Sequence, residues 1–506
     1  MTPLNNRFLN ILGALLAIAM LTSASFAQVT GRISGSVVDQ SAAVIPNAKI
    51  ELLLPGGAHA ILNGITTNEG LFSLTGVLPG TYELAITAQG YKKRVVKEVV
   101  VRPGQELALP ALQLEIGDVS ETVQVTETQA VQTANSEVSL SITRQQLKEL
   151  PILNRSPLGF VTTQAGVTVS GGANASVING QRTTFTNITL DGINIQDNYI
   201  RTNAADFSPE NLLLDQVAEF TVSTSNTNAS AGNGASQVSF VTPSGTNTFH
   251  GSGYWQNRNN AFAANTWFNN RDGVSRPFLN ANWVGATLGG PVIKDKLLFY
   301  ANFEVYRLHQ QTSANRAILT DTARQGIFTY RDTAGATHQV NVLQAAGKTM
   351  DPALQAILQQ VPGPEKINNF RTGDSSAAFL RNTAGYSFNI RNNRSQDHLT
   401  TRVDYNLSTK HTFTGSYIWS NDILDRPDVS TDFATVPKVI NDDTTNLLSL
   451  GWRWNPTSTF TNELRGGFNF APVIFLSSEN FGDDIIGIAG SQFGNPLNTF
   501  RTQGRN

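Results

Sequence analysis

Segments in which apolar and polar residues alternate place the strongest constraint on the fold of this chain, because a period of two is typical of β-strands. One such segment is LLFYANFEVYR, which ends at Arg307. Its apolar face carries Phe299, Ala301, Phe303 and Val305. Its opposite face carries Tyr300, Asn302, Glu304 and Tyr306. Such a strand separates two environments, as in the wall of a membrane barrel or in one sheet of a soluble β-sandwich.

The connections between such segments, which lie after residue 246, favour the barrel. A short turn is predicted around Lys294 to Lys296, another about Ser408 to Lys410, and a third at Asn455-Pro456. The second hairpin places Val403, Tyr405 and Leu407 outward, with Arg402, Asp404 and Asn406 inward. Beyond Arg307, a long stretch without clear strand period is predicted to be an extracellular loop. Short turns that alternate with long loops are typical of outer-membrane barrels, and a sandwich does not need that asymmetry.

The first residues have the pattern of a secretory signal peptide. Arg7 supplies the positive start, Ile11 to Leu21 is apolar, and Ser25-Phe26-Ala27 predicts cleavage between Ala27 and Gln28. The alternative is a retained anchor, but a membrane helix needs about 20 apolar residues and this run is shorter. No later segment approaches that length, so a membrane location would require a barrel.

Composition argues against several classes of function. Charged residues make up 15% of the chain and the formal net charge is -2, which gives no sign of a nucleic-acid partner. The absence of cysteine excludes disulfides, thiolate zinc sites and cysteine nucleophiles. The six histidines show no i, i+4 pairing for zinc, and there is no G-x-S-x-G motif. The sequence therefore predicts no enzyme, no metal site and no cofactor.

Residues 28–115 show short strands separated by turn signals, which predicts a small β-sandwich. The turns fall near Pro46-Asn47, at Asn68-Glu69-Gly70 and at Pro79-Gly80. Gly31 to Val101 resembles the carboxypeptidase regulatory-like domain, a transthyretin-like β-sandwich whose fold class includes carbohydrate-binding modules. No histidine has a glutamate three positions later, so the resemblance implies no peptidase. A spacer is the expected role.

The predicted linker, residues 116–135, contains the heptad ETVQVTE. Its β-branched residues alternate and lack hydrophobic neighbours, so the segment can add as a strand to a partner's sheet. It resembles the TonB box of TonB-dependent outer-membrane transporters, although its last residue departs from the small residue usual there. The resemblance implies that the periplasmic domain of TonB binds Glu121, Thr122, Val123, Gln124, Val125, Thr126 and Glu127.

Residues 136–245 resemble the plug domain of these transporters. The segment ITRQQLKEL predicts a short helix with Thr143 as N-cap and with Leu147 and Leu150 on one side. The motif NGQRTTFTNITLDGINIQD follows in the family's order, and its Asp191-Gly192 pair predicts a tight turn. The plug-motif residues are Asn179, Gly180, Gln181, Arg182, Asp191 and Gly192. The charged residues interpreted as holding plug and barrel together are Arg182, Asp191, Arg402 and Asp404.

The predicted fold is therefore mainly β: a signal peptide (1–27), a transthyretin-like sandwich, a linker, an α+β plug, and a partial antiparallel transmembrane β-barrel (246–506). This arrangement most resembles the Oar-like branch of the transporters. About seven two-faced strands are visible, whereas plugged transporters close with about 22. An open wall would leave backbone groups unpaired in lipid. We therefore expect the chain to be the N-terminal part of a longer protein or a gene fragment.

The resemblance implies an outer-membrane receptor of a Gram-negative bacterium, with TonB, outer-membrane lipid and an unidentified extracellular ligand as partners. Its function would be active uptake, or export-linked passage, of a large ligand. Siderophore, oligosaccharide, peptide and exported protein all stay open as cargo. The alternative is a non-transporting secreted or surface β-protein that binds glycan or protein through the N-terminal sandwich.

Overall fold

The computed structural model describes most of the chain between residues 30 and 477. The described ranges are 30–117, 122–126, 138–150, 155–169, 176–181, 186–196, 212–225, 236–374, 380–429, 432–457, 460–472 and 475–477. The predicted signal peptide and its cleavage site at Ala27 and Gln28 lie outside these ranges. Within these ranges, no helix has both the length and the hydropathy that crossing a bilayer requires. Strands predominate, as predicted.

The first described residues form a sandwich of two sheets. Its strands are β1 (Gly31–Val38), β2 (Lys49–Leu53), β3 (Ala60–Ile65), β4 (Leu71–Val77), β5 (Gly80–Thr87), β6 (Lys93–Val101), β7 (Glu106–Ala108) and β8 (Leu112–Gln113). One sheet has the order β4-β1-β7, with β8 also on β1, and the other has the order β3-β2-β5-β6. Alternate side chains from both sheets are fully buried in one core, namely Ile33, Val37, Ile50, Leu52, Leu84 and Ile86. Apolar burial therefore holds the two sheets together.

The strand β9 (Thr122–Thr126) comes next and pairs with β6, which extends the second sheet to the order β3-β2-β5-β6-β9. The β6–β9 pairing is parallel, whereas β5 and β6 are antiparallel. This strand contains five of the seven residues that resemble a TonB box. The flanking Glu121 and Glu127 lie outside the described residues.

A second unit, which we call the plug, follows between residues 138 and 241. Its elements are β10 (Val138–Thr143), α1 (Arg144–Glu149), a 3-10 helix (Pro157–Thr163), β11 (Val167–Val169), β12 (Ser176–Ile178), β13 (Thr186–Leu190), β14 (Ile193–Asn194), a second 3-10 helix (Leu214–Gln216), β15 (Glu219–Ser225) and β16 (Ser236–Val241). The main sheet has the order β10-β15-β16-β13-β14, and β11 pairs with β12. An apolar core lies beside this sheet, with Phe220 and Phe240 in contact at 5.2 Å between ring centroids.

The short helix α1 begins as predicted. The Thr143 side chain accepts a hydrogen bond from the Gln146 backbone N–H, and the Gln146 side chain accepts one from the Thr143 backbone N–H. This reciprocal arrangement is a capping box, which satisfies two N–H groups that the helix itself cannot pair. Leu147 is buried in the core of the plug. The prediction that Leu150 shares that side is wrong: Leu150 is the C-cap and is 46% exposed, because the helix has already ended.

The third unit begins with β17 (His250–Asn259), β18 (Leu279–Ile293) and β19 (Leu297–Leu319), which pair in antiparallel order. Between β17 and β18, a loop contains α2 (Trp267–Arg271). The turn from β18 to β19 is the predicted one, with Asp295 at φ 63°. A turn this short lets two long strands pair along almost their whole length.

The stretch after Arg307 differs from its prediction. β19 continues to Leu319 rather than giving way to a loop, and it pairs there with β22 (Thr383–Arg391). Between these strands lie α3 (Asp321–Arg324), β20 (Ile327–Arg331), β21 (Thr337–Asn341), α4 (Val342–Ala345) and α5 (Pro352–Gln360). The last helix matches the predicted helical piece DPALQAILQQV. In the extended part of β19, residues 309–313 are all polar, so the sequence there lacks the alternation that marks a strand.

The remaining strands are β23 (Arg394–Ser408), β24 (His411–Asp425), β25 (Val439–Thr457), β26 (Phe460–Phe470) and β27 (Phe475–Ser477). They complete an antiparallel sheet, the wall, in the order β17-β18-β19-β23-β24-β25-β26, with β22 on β19 and β27 on β25. The predicted turn at Asn455-Pro456 is wrong. β25 passes through both residues, and its register with β26 shifts between Trp454 and Thr457, an irregularity that accommodates a proline without an N–H group.

The two faces of the wall are as the sequence predicts. On the face away from the plug, apolar side chains are exposed, with Phe303 at 48%, Val403 at 46% and Leu464 at 62%. On the face toward the plug, Glu304, Arg402 and Asp404 are buried. This distribution, with apolar side chains outside and polar side chains inside, is the opposite of that in a soluble protein. It suits a wall between lipid and a filled interior.

Candidate functional site

The plug contacts the wall through two clusters of charged side chains. We call the first, around Asp191, the turn cluster. Asp191 at φ 47° and Gly192 at φ 81° form the predicted tight turn between β13 and β14. The Asp191 carboxylate accepts hydrogen bonds from the Thr242 backbone N–H at 3.0 Å and the Thr242 hydroxyl at 2.7 Å. Its backbone oxygen accepts from the wall residues Ser449 and Arg465, each at 2.9 Å.

Arg402 of β23 completes the turn cluster. Its guanidinium is buried and donates to Asp404 at 3.0 Å and to the Thr242 carbonyl at 2.8 Å. The Asp191 carboxylate lies 3.8 Å from the same guanidinium. Asp404 also accepts a hydrogen bond from the Ser244 hydroxyl at 2.6 Å. The structure therefore brings together three of the four charged residues that the sequence interpretation names, and the fourth, Arg182, lies outside the described residues.

The second cluster, which we call the arginine cluster, surrounds Arg155 of the plug. Arg155 is buried and its guanidinium lies 2.9 Å from Asp215 and 3.6 Å from Glu304 of β19. It donates to Gln256 at 2.9 Å and stacks on the Tyr254 ring at 5.0 Å. The Tyr254 hydroxyl in turn donates to the Glu304 carboxylate. A fully buried carboxylate on the wall thus accepts a hydrogen bond from a neighbouring strand and lies at ion-pair distance from a plug arginine.

Tyr300 connects the arginine cluster to α1. Its hydroxyl accepts a hydrogen bond from Arg144 at 2.9 Å and donates one to the Asp215 backbone oxygen at 2.8 Å. The Arg144 guanidinium also lies 3.9 Å from the Asp215 carboxylate. The alternation in the sequence predicts that Tyr300 and Glu304 lie on the polar face of β19, but it does not indicate their partners in the plug. Arg144, Arg155 and Asp215 carry no local motif, so only the tertiary structure reveals them.

Three other plug-motif residues, Asn179, Gly180 and Gln181, form a turn that is bonded to other parts of the plug. Asn179 at φ 50° and Gly180 at φ 72° make a turn after β12. The Asn179 backbone N–H donates to the Gly166 carbonyl at 2.8 Å, and its side chain donates to the Thr224 carbonyl at 3.0 Å. The Gln181 N–H closes the turn by donating to Ile178 at 3.0 Å. These residues shape the plug, whereas Asp191 and Gly192 attach it to the wall.

The sandwich is docked on the wall at the ends of strands. The Arg453 guanidinium donates to the Gly76 carbonyl at 2.7 Å, and the hydroxyls of Thr75 and Thr461 are 2.6 Å apart. At another turn, the Ala58 N–H donates to Asp295 at 3.1 Å. Space is tight here, because a Cβ at Gly76 would lie 2.8 Å from Thr461 Cγ2. The wall therefore holds the sandwich through specific polar contacts.

The sandwich also contacts the plug. Gln105 donates to the Ser139 hydroxyl at 2.8 Å, and the Arg102 guanidinium lies 3.5 Å from the Glu219 carboxylate. Burial raises the pKa of Glu219 to about 7, against the opposing effects of Arg102 and of a hydrogen bond with Ser141. This carboxyl therefore changes charge near neutral pH at a junction between two units.

Comparison with known proteins identifies the class of the chain. The family model described as an outer membrane beta barrel domain matches residues 241–505, over half of the sequence. The chain belongs to this outer-membrane β-barrel family. The model of the carboxypeptidase regulatory-like domain matches residues 32–115. The wall therefore crosses the outer membrane of a Gram-negative cell, and its apolar face meets lipid.

A curated relative gives a more specific similarity. The TonB-dependent transporter Oar of Myxococcus xanthus is 25% identical over 334 residues, which cover 62% of this chain and 30% of the relative. The chain thus spans about 30% of the length of that transporter. The relative is named as a transporter. Within the described ranges, no group of three or more His, Asp or Glu side chains is arranged to hold a metal ion.

Two solved structures illustrate the similarity to known folds. A mutant of the ferric enterobactin receptor of Pseudomonas aeruginosa in complex with enterobactin is 10% identical and covers 66% of this chain and 46% of its own, with a TM-score of 0.36. A putative carbohydrate binding protein from Bacteroides uniformis is 19% identical and covers 17% of this chain and 40% of its own, with a TM-score of 0.15.

Proposed function

We propose that this outer-membrane β-barrel protein is a TonB-dependent receptor that moves a large ligand across the outer membrane. The observation that carries the proposal is the plug, a folded unit attached to the inner face of the wall through buried ion pairs. Such pairs resist the loss of one partner, yet the groups can be rehydrated together when the plug moves. The similarity to the TonB-dependent transporter Oar supports the same assignment.

TonB would bind residues 121–127 and transmit force to the plug through the chain that leads to β10. Strand addition suits this segment because backbone hydrogen bonds provide the affinity. The plug would then leave the arginine cluster or the turn cluster, and a path would open along the inner face of the wall. The ligand would bind beforehand on the extracellular side of the plug and loops.

The test compares binding of the purified periplasmic domain of TonB to the parent chain and to a variant with Val123→Pro and Val125→Pro. Proline removes the N–H groups that a strand needs for pairing, so the variant should lose binding. The matched control, Val123→Ile with Val125→Ile, keeps both N–H groups and the β-branched side chains and should bind like the parent. Equal binding by the proline variant would refute a role for this segment in contacting TonB.

A further inference from the structure

The segment resembling a TonB box is already paired within the chain. The register of β9 on β6 runs from Lys93 opposite Thr122 to Lys97 opposite Thr126. The backbone of these residues therefore makes with the sandwich the kind of contact that a strand-adding partner would make. The edge of β6 that faces away from β5 is the site that receives it.

The chain just before β9 is held beside the start of β6. The Lys92 N–H donates to the Glu115 carbonyl at 2.8 Å, and the Gly117 N–H donates to the Gly90 carbonyl at 3.2 Å. Only a short connection then separates Gly117 from Thr122. A short tether gives an effective concentration of about the millimolar level, which favours pairing by a strand of only a few residues.

The strand that receives β9 is itself firmly fixed. β6 is paired with β5 along its other edge, and its residues Val96, Val99 and Val101 are buried in the sandwich core. The sandwich is attached to the wall by Arg453 and by the contact between Thr75 and Thr461. A strand seated on β6 is thereby connected to the wall without passing through the plug.

This connection determines which contacts carry the load when β9 is pulled. While β9 remains in the sandwich sheet, the load passes to β6 and from there to the contacts that the sandwich makes with the wall and, through Arg102 and Gln105, with the plug. The covalent segment that leads from β9 to β10, the first strand of the plug, comes under tension only after β9 has left β6. Productive pulling therefore requires that β9 be released from the sandwich.

We propose that the edge of β6 is a resting site for the partner-binding strand and that it competes with TonB for the backbone of residues 122–126. The proposal rests on the function proposed above and adds a step to it. The sandwich is then more than a spacer, because it determines how much of the time the segment is accessible to TonB.

A disulfide lock tests the proposal, because the chain has no cysteine of its own. Val95 and Gln124 are opposite each other in the register, so Val95→Cys with Gln124→Cys should cross-link on mild oxidation. The matched control, Lys93→Cys with Thr126→Cys, pairs the two ends of the same strands. Its Cα atoms would be about 14 Å apart, too far for a disulfide. Equal cross-linking of both pairs, or of neither, would overturn the seating of β9 on β6.

The locked protein then tests competition. Its affinity for the purified periplasmic domain of TonB should fall by at least about ten-fold on oxidation and recover on reduction. Undiminished affinity of the oxidised protein would overturn the proposal, since TonB would then bind β9 in place. Inserting about twelve Gly and Ser residues after Gly117 should act in the opposite direction and raise the affinity several-fold. An unchanged affinity there would equally contradict competition.

The experiments distinguish a failure of this proposal from a failure of the proposed function. If the reduced double-cysteine protein and the parent chain both fail to bind the TonB domain, the assignment of residues 121–127 as a TonB contact is wrong. The cross-linking comparison needs no TonB, so it decides independently whether β9 is seated on β6.

Discussion

The sandwich core is filled by aliphatic side chains, whereas the plug meets the wall mainly through charged groups and hydroxyls. Leu84 and Ile50 are fully buried among other apolar residues. Arg155 and Arg402 are also buried, but polar groups surround them, including the carboxylates of Asp215 and Asp404. Two wall residues, Ile418 and Leu447, add a small apolar contact to the core of the plug.

This difference matches the two tasks. An apolar core loses stability in proportion to the surface that it exposes, so the sandwich is expected to remain folded while it is carried or pulled. A buried ion pair is little more stable than the same two charged groups when each is hydrated. Two charged surfaces can therefore separate when water enters between them. The plug is thereby attached in a specific position without being attached irreversibly.

The largest effect is expected from Arg402→Ala, which leaves Asp404 and Asp191 without their buried cation. Removing one partner of a buried pair costs about 3–5 kcal/mol, so the plug should detach from the wall at a lower urea concentration. Hydrogen exchange of residues 186–196 in the detergent-folded protein measures this. The double variant Arg402→Met with Asp404→Leu should recover part of the loss; exchange equal to the parent in Arg402→Ala would contradict the role of the turn cluster.

A somewhat smaller effect, about 3 kcal/mol, is expected from Leu84→Ala, which creates a cavity in the sandwich core. In this variant the sandwich should unfold at a lower urea concentration, while hydrogen exchange in residues 186–196 stays as in the parent. The measurement is the urea dependence of exchange in β2, β5 and β6. Simultaneous loosening of sandwich and plug would show that the two regions are not independent.

The junction at Glu219 should make the contact between sandwich and plug sensitive to pH. Burial raises the pKa of this carboxyl from 4.5 to about 7. The protonated form is therefore favoured in the folded state, so its contribution is complete below pH 4.5 and is lost as the pH rises through 7. The loss is about 3 kcal/mol at most. Glu219→Gln should abolish this pH dependence in proteolysis of residues 102–138; a variant with the same profile as the parent would exclude Glu219 as its source.

The smallest effect is expected from alanine at Gly76 or Gly56. Comparing the two variants separates the cost of backbone strain from the cost of a steric clash with the wall. Gly76 and Gly56 have nearly the same conformation, at φ 69° and 66°, but only Gly76 faces the wall at close range. Alanine at either site should cost about 1 kcal/mol of backbone strain. Only Gly76→Ala should also separate the sandwich from the wall, measured as faster proteolysis between residues 102 and 138. Equal proteolysis of both variants would mean that the contact between Gly76 and Arg453 does not hold the sandwich.

The parts that could be predicted from sequence are those with a local pattern. The alternation through Phe303 and Glu304 predicts the two faces of β19, and Thr143 with Gln146 predicts the start of α1. The Asp191-Gly192 pair likewise predicts its turn, because both residues tolerate a positive φ.

Other features depend on residues that are distant in sequence. The pairing of Arg155 with Glu304 joins elements that share no periodic signal, and nothing in ETVQVTE specifies β6 as its neighbour. The strand β19 extends past Arg307 because pairing with β22 stabilises it where alternation has ended. In these cases the tertiary contact, rather than local preference, determines the structure.

The seating of the sandwich on wall turns implies an order of assembly. Ala58 contacts Asp295 across 237 residues, and Gly76 contacts Arg453 across 377. The sandwich can form its own core as soon as its strands have emerged, because most of its contacts are local. Its docking site on the wall exists only after two hairpins of the wall have formed. During biogenesis the folded sandwich is therefore expected to dock after the membrane part has formed.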